Sequence, residues 1–128
     1  MILFFDRNVG TIVPKTLKTL RLPTSVEYHD DIFPKNTPDD RWLAEVGQWG
    51  WTVIGHDQKF HTEANELSAL KQYRIGCFYL WGNNAPRWAK MQCFARAYDR
   101  IVAAEANTAK PFVFRVTPTG LLRTVPIP

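Results

Sequence analysis

Two aspartates that are far apart in the chain each come directly after a short apolar run. Asp6 follows the run from Ile2 to Phe5, and Asp57 ends the stretch "WTVIGHD". Both therefore stand at the C-terminal end of a predicted strand, the first and the third along the chain. In an open parallel sheet, sites form beyond these strand ends, at the point where the strand order reverses. We expect the two carboxylates to converge if the two strands are neighbours.

A third carboxylate is available at the start of the helix predicted in "TPDDRWLAEVGQWG". Thr37 has the residue type of an N-cap, Pro38 suits the first helical position, and Asp40 can close a capping box with Thr37. Asp39 is then the freer of the two acids to reach a ligand. Helix capping and metal binding both remain open for this pair.

Carboxylates that converge without histidine or cysteine partners suit a hard cation such as Mg²⁺ or Mn²⁺. Without a cation they repel one another, and this repulsion raises the pKa of each group. A divalent ion offsets the repulsion, polarises a phosphate and generates hydroxide from bound water. The residue types and their spacing therefore predict a metal site built on Asp6, Asp57 and one acid of the pair Asp39 and Asp40.

Other polar residues near these acids have two interpretations each. Asn8 either orients a ligand or makes an Asx turn. Lys59, two residues after Asp57, either meets a phosphate or balances charge. The three histidines lack metal-ligand spacing and are predicted to lie in solvent or in the core; they are His29, His56 and His61.

The second half of the chain offers side chains that could hold a nucleic acid. Trp81, at the end of a predicted strand, either stacks on a base or packs in the core. A long helix predicted from Trp88 to about Glu105 has a basic side that either follows a phosphate backbone or is a solvated face. The candidate contacts are Arg87, Lys90, Arg96 and Arg100.

Strand and helix patterns alternate along the whole chain. Apolar strand-like runs include Ile2 to Phe5, "WTVIG" and "IGCFYLW", and amphipathic helix patterns separate them. The last segments, "FVFRV", "TPTG" and "LLRTVPI", have the pattern of a hairpin. The alternation predicts an α/β fold: one domain over residues 1–128 with a mostly parallel central sheet, helices on both faces and a C-terminal hairpin.

Composition narrows the class of protein. The chain has 128 residues, of which 45% are hydrophobic and 22% charged, so a folded domain is expected and disorder is not. Residues 1–70 carry a net charge of −3 and residues 71–128 a net charge of +7, which suits binding of cations in one half and phosphates in the other.

No apolar run has membrane-spanning length, and the N-terminus lacks a leader pattern. Cys77 and Cys93 are expected to be buried thiols, and a cytoplasmic protein is expected.

The order of these motifs resembles that of the PIN-like nuclease superfamily, especially its small VapC-type toxins. Such proteins begin with an apolar strand that ends in Asp-x-Asn, here Asp6-Arg7-Asn8. They continue with an Asp at the start of a helix, here Asp39, and with an Asp after a hydrophobic strand, here Asp57 in "HDQKF". The similarity extends over roughly the first 80 residues.

The resemblance implies a single three-layer PIN-like domain and a metal-dependent ribonuclease. Asp6, Asp39 and Asp57 would hold one or two Mg²⁺ or Mn²⁺ ions and hydrolyse an RNA phosphodiester, with the basic second half holding the strand. It also implies an antitoxin encoded beside the toxin. A homodimer is a further implication, for which the apolar "IGCFYLWG" segment could provide a surface.

Two other interpretations of these residues compete with a nuclease. Lys59 stands where relatives often have a second Asp, which favours a catalytically inactive PIN-like module that binds RNA or a protein. A phosphoacceptor receiver domain also places an Asp at the end of its third strand. That class is excluded because Arg7, rather than a second acid, follows Asp6, and because Lys110-Pro111 precedes a predicted strand instead of following one.

Overall fold

The computed structural model describes residues 1–56, 63–82 and 84–128. Asp57, Lys59 and His61 lie outside this part of the chain. The described strands are β1 (Ile2–Phe5), β2 (Ser25–Tyr28), β3 (Thr52–Gly55), β4 (Gly76–Leu80), β5 (Phe112–Val116) and β6 (Leu122–Thr124). The described helices are α1 (Ile12–Thr19), α2 (His29–Ile32), α3 (Asp39–Gln48), α4 (Ala64–Gln72) and α5 (Arg87–Asn107), with one 3₁₀ turn at Arg7–Val9.

The six strands form one sheet in the order β2-β1-β3-β4-β5-β6. The pairs from β2 to β5 are parallel, and β6 is antiparallel to β5, which confirms the predicted parallel sheet and C-terminal hairpin. Phe5 is in register with Tyr28 on one side and with Ile54 on the other. Because the chain goes from β1 out to β2 and then returns to β3 on the far side of β1, the strand order reverses between β1 and β3.

Helices cover both faces of the sheet, so the domain has three layers. Phe5 and Ile54 point into a core that also contains buried residues of α1 and α5. Phe4 and Val53 point to the opposite face, against buried residues of α3 and α4. A sheet buried on both faces needs apolar side chains at consecutive positions, which explains the uninterrupted hydrophobic runs in the sequence.

The capping box predicted at the start of α3 is wrong. The helix begins at Asp39, and the residue at its N-cap is Pro38, which makes no side-chain cap. Thr37 instead donates its hydroxyl to the carbonyl oxygen of Pro34 at 2.7 Å, so its side chain closes the preceding turn. Both Asp39 and Asp40 lie in the first turn of α3, where a negative charge interacts favourably with the helix dipole.

The strand predicted in "IGCFYLW" is confirmed, and so is the burial of Cys77 and Cys93. The expectation that this segment provides a contact surface is wrong for its strand part. Gly76–Leu80 is buried along its whole length, because β4 lies between β3 and β5 with helices on both faces. Trp81, the next residue, is 43% exposed and is the part of the segment that reaches the surface.

Candidate active site

Asp6 lies at the carboxyl edge of the sheet, at the point where the strand order reverses. It directly follows β1, is only 2% exposed, and occupies the N-cap of the 3₁₀ turn at Arg7–Val9. Its Oδ1 atom accepts a hydrogen bond from the backbone N–H of Arg7 at 2.6 Å. Its own N–H donates to the carbonyl oxygen of Ile54 at 2.9 Å, which ties it to the end of β3. The sheet therefore positions this carboxylate as the sequence predicted.

Asp39 is joined to the end of β1 through the side chain of Arg7. Arg7 Nη2 donates to Asp39 Oδ1 at 2.6 Å, and Trp42 Nε1 donates to the same oxygen at 2.9 Å. Arg7 Nη1 also donates to the carbonyl oxygens of Lys35 and Thr37, at 2.7 Å each. The Arg7 guanidinium thus ties the loop before α3 to the 3₁₀ turn that follows β1. Sequence reasoning assigned no such contact to Arg7.

Asn8 and His56 connect the ends of three strands. Asn8 Oδ1 accepts a hydrogen bond from the backbone N–H of His56 at 3.2 Å, so the Asn8 side chain bridges to the residue after β3. The His56 ring is 5% exposed, and its Nδ1 lies 2.9 Å from the carbonyl oxygen of Leu80 at the end of β4. Because a carbonyl oxygen only accepts, Nδ1 carries the proton and donates.

The His56 ring lies in surroundings that favour its uncharged form. Burial lowers the pKa of His56; the hydrogen bond to Leu80 acts in the opposite direction, and the nearby positive charge of Lys90 lowers the pKa further. The Nε2 atom is buried and has no hydrogen-bond partner among the residues that the structure describes. Of the two environments predicted for this histidine, the core is confirmed.

Asp30 is a carboxylate at the same edge that sequence reasoning missed. Burial raises the pKa of Tyr28, the last residue of β2; a hydrogen bond from the side chain of Thr11 counteracts this, and the negative charges of Asp30 and Asp6 raise it further. The two acids therefore lie near one hydroxyl. His29, fully buried, contacts Asp30 through Nδ1 at 2.8 Å and Arg7 through Nε2 at 3.4 Å. The rule that found Asp6, an acid just after a strand, also applies to Asp30.

Within the described residues, no other acidic candidate is seen at this edge of the sheet. Asp40 lines a groove between α3 and α4, with Asn65 and Gln72 on the α4 side. Asp57 and Lys59 lie outside the described residues, so the predicted convergence of Asp57 with Asp6 stays a prediction. Within residues 1–56, 63–82 and 84–128, no group of three or more His, Cys, Asp or Glu side chains is arranged to hold a metal ion.

Arg87 and Lys90 face the Asp6 side of the molecule across a cleft. The cleft has a volume of about 390 Å³ and is lined by these two side chains and by the stretch from Val9 to Val13. Neither cation has an acidic partner within the described part of the chain, and the first turn of α5 contains no acidic residue. The cleft is therefore positively charged and lies next to the turn that Asp6 caps.

Arg96 and Arg100 lie farther along α5 and are exposed. Arg96 Nη1 donates to the carbonyl oxygen of Pro118 at 3.4 Å, and Arg100 Nη1 donates to the carbonyl oxygen of Arg96 at 3.3 Å. At about 1.5 Å of rise per residue, Arg96 is roughly 13 Å beyond Arg87 along the helix axis. The structure thus divides the four basic candidates into a pair at the cleft and a pair toward the hairpin.

A family model described as a PIN-like domain matches residues 1–82 of the chain. The match extends over more than half of the sequence and contains β1 to β4 and Asp6, Asp39 and Asp57. This protein therefore belongs to the PIN-like domain family, and the resemblance inferred from its motifs is confirmed.

One curated relative extends the similarity beyond the family match. The chain is 26% identical over 140 aligned positions to a Mycobacterium tuberculosis protein named "Putative ribonuclease VapC45". The comparison spans 96% of this chain and 91% of the relative, so it includes α5 and the hairpin. No solved structure matches the chain. None of the helices in the described residues is both long and apolar enough to cross a membrane.

Proposed function

We propose that this protein is a metal-dependent endoribonuclease that hydrolyses RNA phosphodiester bonds and acts as the toxin of a toxin–antitoxin pair. Membership of the PIN-like family and the name of the mycobacterial relative support this class of activity. The structural observation that carries the proposal is the position of Asp6. It is a buried carboxylate at the switch point of a parallel sheet, where such folds bind their ligands.

The proposed ligands of a Mg²⁺ or Mn²⁺ ion are Asp6, Asp39 and Asp57, with Asn8 and Asp40 in supporting roles. Carboxylate oxygens are the donors that these hard cations prefer. Asp39 uses Oδ1 for Arg7 and Trp42, and its Oδ2 has no partner among the described residues. These donors therefore have the chemistry that such an ion requires. Once bound, the ion lowers the pKa of water and offsets negative charge that develops on the phosphodiester.

The other proposed residues hold the RNA strand. Arg87 and Lys90 bind phosphate groups across the cleft beside Asp6, and Arg96 and Arg100 extend this basic track along α5. Trp81, exposed at the end of β4, offers a face on which a base stacks. Lys59 is assigned a phosphate contact from the sequence alone.

The reaction is the addition of water to phosphorus, with cleavage of one bond between phosphorus and a ribose oxygen. Arg7 keeps Asp39 oriented throughout, because three of its side-chain contacts fix the segment from Lys35 to Asp39 and a fourth joins it to His29. We further propose that the protein works in the cytoplasm, that an antitoxin protein restrains it, and that it forms a homodimer.

A second candidate function is an inactive PIN-like module that binds RNA or a protein. The observation that favours it is the contact between Arg7 and Asp39, which already neutralises one proposed metal ligand. Lys59, in place of an acid, points in the same direction. This module would keep the basic cleft and lack hydrolysis.

A cleavage assay separates the two functions. Purified wild-type protein is incubated with single-stranded RNA and Mn²⁺, alone and with excess EDTA, beside the variants Asp57→Asn and Asp99→Asn. Asp99 is an exposed acid on α5 and serves as the matched control. The nuclease cuts RNA, loses turnover with EDTA and with Asp57→Asn, and keeps it with Asp99→Asn. Equal inactivity of all proteins, together with RNA binding, would establish the module instead.

A further inference from the structure

His56 contacts the ends of two other strands at the carboxyl edge of the sheet. It directly follows β3, its backbone N–H binds Asn8 Oδ1 at 3.2 Å, and its ring Nδ1 binds the Leu80 carbonyl oxygen at 2.9 Å. Asn8 belongs to the 3₁₀ turn whose N-cap is Asp6, so one end of this chain of hydrogen bonds leads to the buried carboxylate. The other end is fixed to β4, in the middle of the sheet.

An apolar residue would serve the core better than this histidine does. The ring is buried, and its Nε2 atom has no hydrogen-bond partner in the described part of the chain. A buried polar atom without a partner lowers stability, whereas an apolar ring of similar size avoids that cost. Packing alone therefore does not account for a histidine at this position.

The hydrogen bond from Nδ1 does account for it. Phenylalanine fills a similar volume but has no donor at the Nδ1 position, and glutamine places its amide near the Nε2 position instead. Asparagine is the substitution that brings an N–H group close to where Nδ1–H lies. A functional role of the bond to Leu80 therefore predicts that asparagine replaces His56 better than phenylalanine or glutamine.

We propose that His56 is a positioning residue, which fixes the turn of Asp6, Arg7 and Asn8 against the ends of β3 and β4 so that Asp6 is held in place for a divalent ion. This inference rests on the proposed metal-dependent function. Residues that orient metal ligands without touching the ion commonly change metal affinity by 10–100-fold when they are replaced.

The test is a titration of the full-length protein with Mn²⁺, followed by electron paramagnetic resonance of the free ion. Thermal unfolding of each metal-free protein is measured in parallel. We expect His56→Phe to bind Mn²⁺ at least about tenfold more weakly than wild type, with an unfolding midpoint within about 4 °C. We expect His56→Asn to bind within about threefold of wild type, because it keeps the donor to Leu80.

The outcomes separate this inference from the proposed function. Wild-type affinity in His56→Phe overturns the positioning role alone. Equal weakening in His56→Phe and His56→Asn also overturns it, because both variants lack the imidazole and only His56→Asn keeps the donor to Leu80, so the donor would not be what matters. Absence of Mn²⁺ binding by the wild type overturns the proposed metal site and this inference with it. If His56→Phe does not fold, His56→Gln takes its place, and wild-type affinity in that variant has the same meaning.

Discussion

Arg7 Nη2 lies 2.6 Å from Asp39 Oδ1, so the residue that follows one candidate metal ligand forms an ion pair with another. The two residues are 32 positions apart in the chain. Their side chains are 31% and 28% exposed, which places the pair at the rim of the candidate site and not in the core. The position of the Asp39 carboxylate therefore depends on the guanidinium of Arg7.

We predict that Arg7→Ala lowers the free energy of unfolding by about 1–3 kcal/mol, since it removes hydrogen bonds to a carboxylate and to two backbone carbonyl groups. Arg7→Lys should recover only part of this loss, because an ammonium group cannot reproduce the planar, forked geometry of guanidinium. Urea unfolding measures both values.

Arg123→Ala is the matched control for Arg7, because Arg123 is an exposed arginine on β6. This variant should change the free energy of unfolding by less than about 0.5 kcal/mol. If Arg7→Ala were as harmless as Arg123→Ala, the role assigned to Arg7 in anchoring the loop before α3 would be wrong.

Substitution of the two cations at the cleft should weaken RNA binding. The double variant Arg87→Gln with Lys90→Gln is prepared in an Asp6→Asn background, so that RNA is bound without turnover. Each phosphate contact to a single strand contributes about −0.7 to the slope of log affinity against log salt concentration. Loss of two contacts should therefore make this slope shallower by about 1.4. Fluorescence anisotropy with labelled single-stranded RNA measures it.

The control for the cleft pair is Arg96→Gln with Arg100→Gln, which removes the same charge from the middle of α5. We expect a smaller loss of affinity, because these side chains lie beyond the cleft and donate to backbone carbonyl groups. A loss at least as large as that of the cleft pair would show that the RNA follows a different path.

The sequence was sufficient for the mostly parallel sheet, the C-terminal hairpin and the position of Asp6, but it left open whether the first and third strands are neighbours. Uninterrupted apolar strands that alternate with amphipathic helices indicate a parallel sheet, and an acid after the first strand must then lie at its carboxyl edge. The capping box failed for a local reason, since the Thr37 hydroxyl closes the turn that begins at Pro34 and Pro38 occupies the N-cap.

The polar contacts around the site could not be predicted in the same way. The partner of Arg7 is set by the tertiary fold, because four side-chain and backbone groups from α2, α3 and the loop between them converge on one guanidinium. Asp30 was predictable in principle, since it stands two residues after the end of β2. Asp30 lies in the stretch "DDIFPKN", whose composition is that of a loop, and for this reason it was not identified as a candidate.

The burial of His56 predicts a pH dependence of stability. Burial lowers the pKa of His56 in the folded state below its value in the unfolded chain, so the unfolded state binds more protons between those two values. The contribution of His56 to the free energy of unfolding should therefore be constant above about pH 6.5. Below that pH it should decrease as the pH falls toward the folded-state pKa.

Chemical denaturation between pH 8 and pH 5 tests this prediction, with His56→Asn as the comparison. The variant lacks the titrating ring, so its free energy of unfolding should decrease less than that of the wild type below about pH 6.5. Parallel curves for the two proteins would contradict the assignment of this pH dependence to His56.

The most direct test of the central claim is anomalous diffraction from crystals of the wild-type protein soaked with Mn²⁺. The claim is that Asp6, Asp39 and Asp57 converge to hold a divalent ion at the switch point of the sheet. We expect an anomalous difference peak in contact with carboxylate oxygens of Asp6 and Asp57, and its loss in crystals of Asp6→Asn. Wild-type crystals without such a peak, in which these carboxylates point into separate regions of solvent, would contradict it.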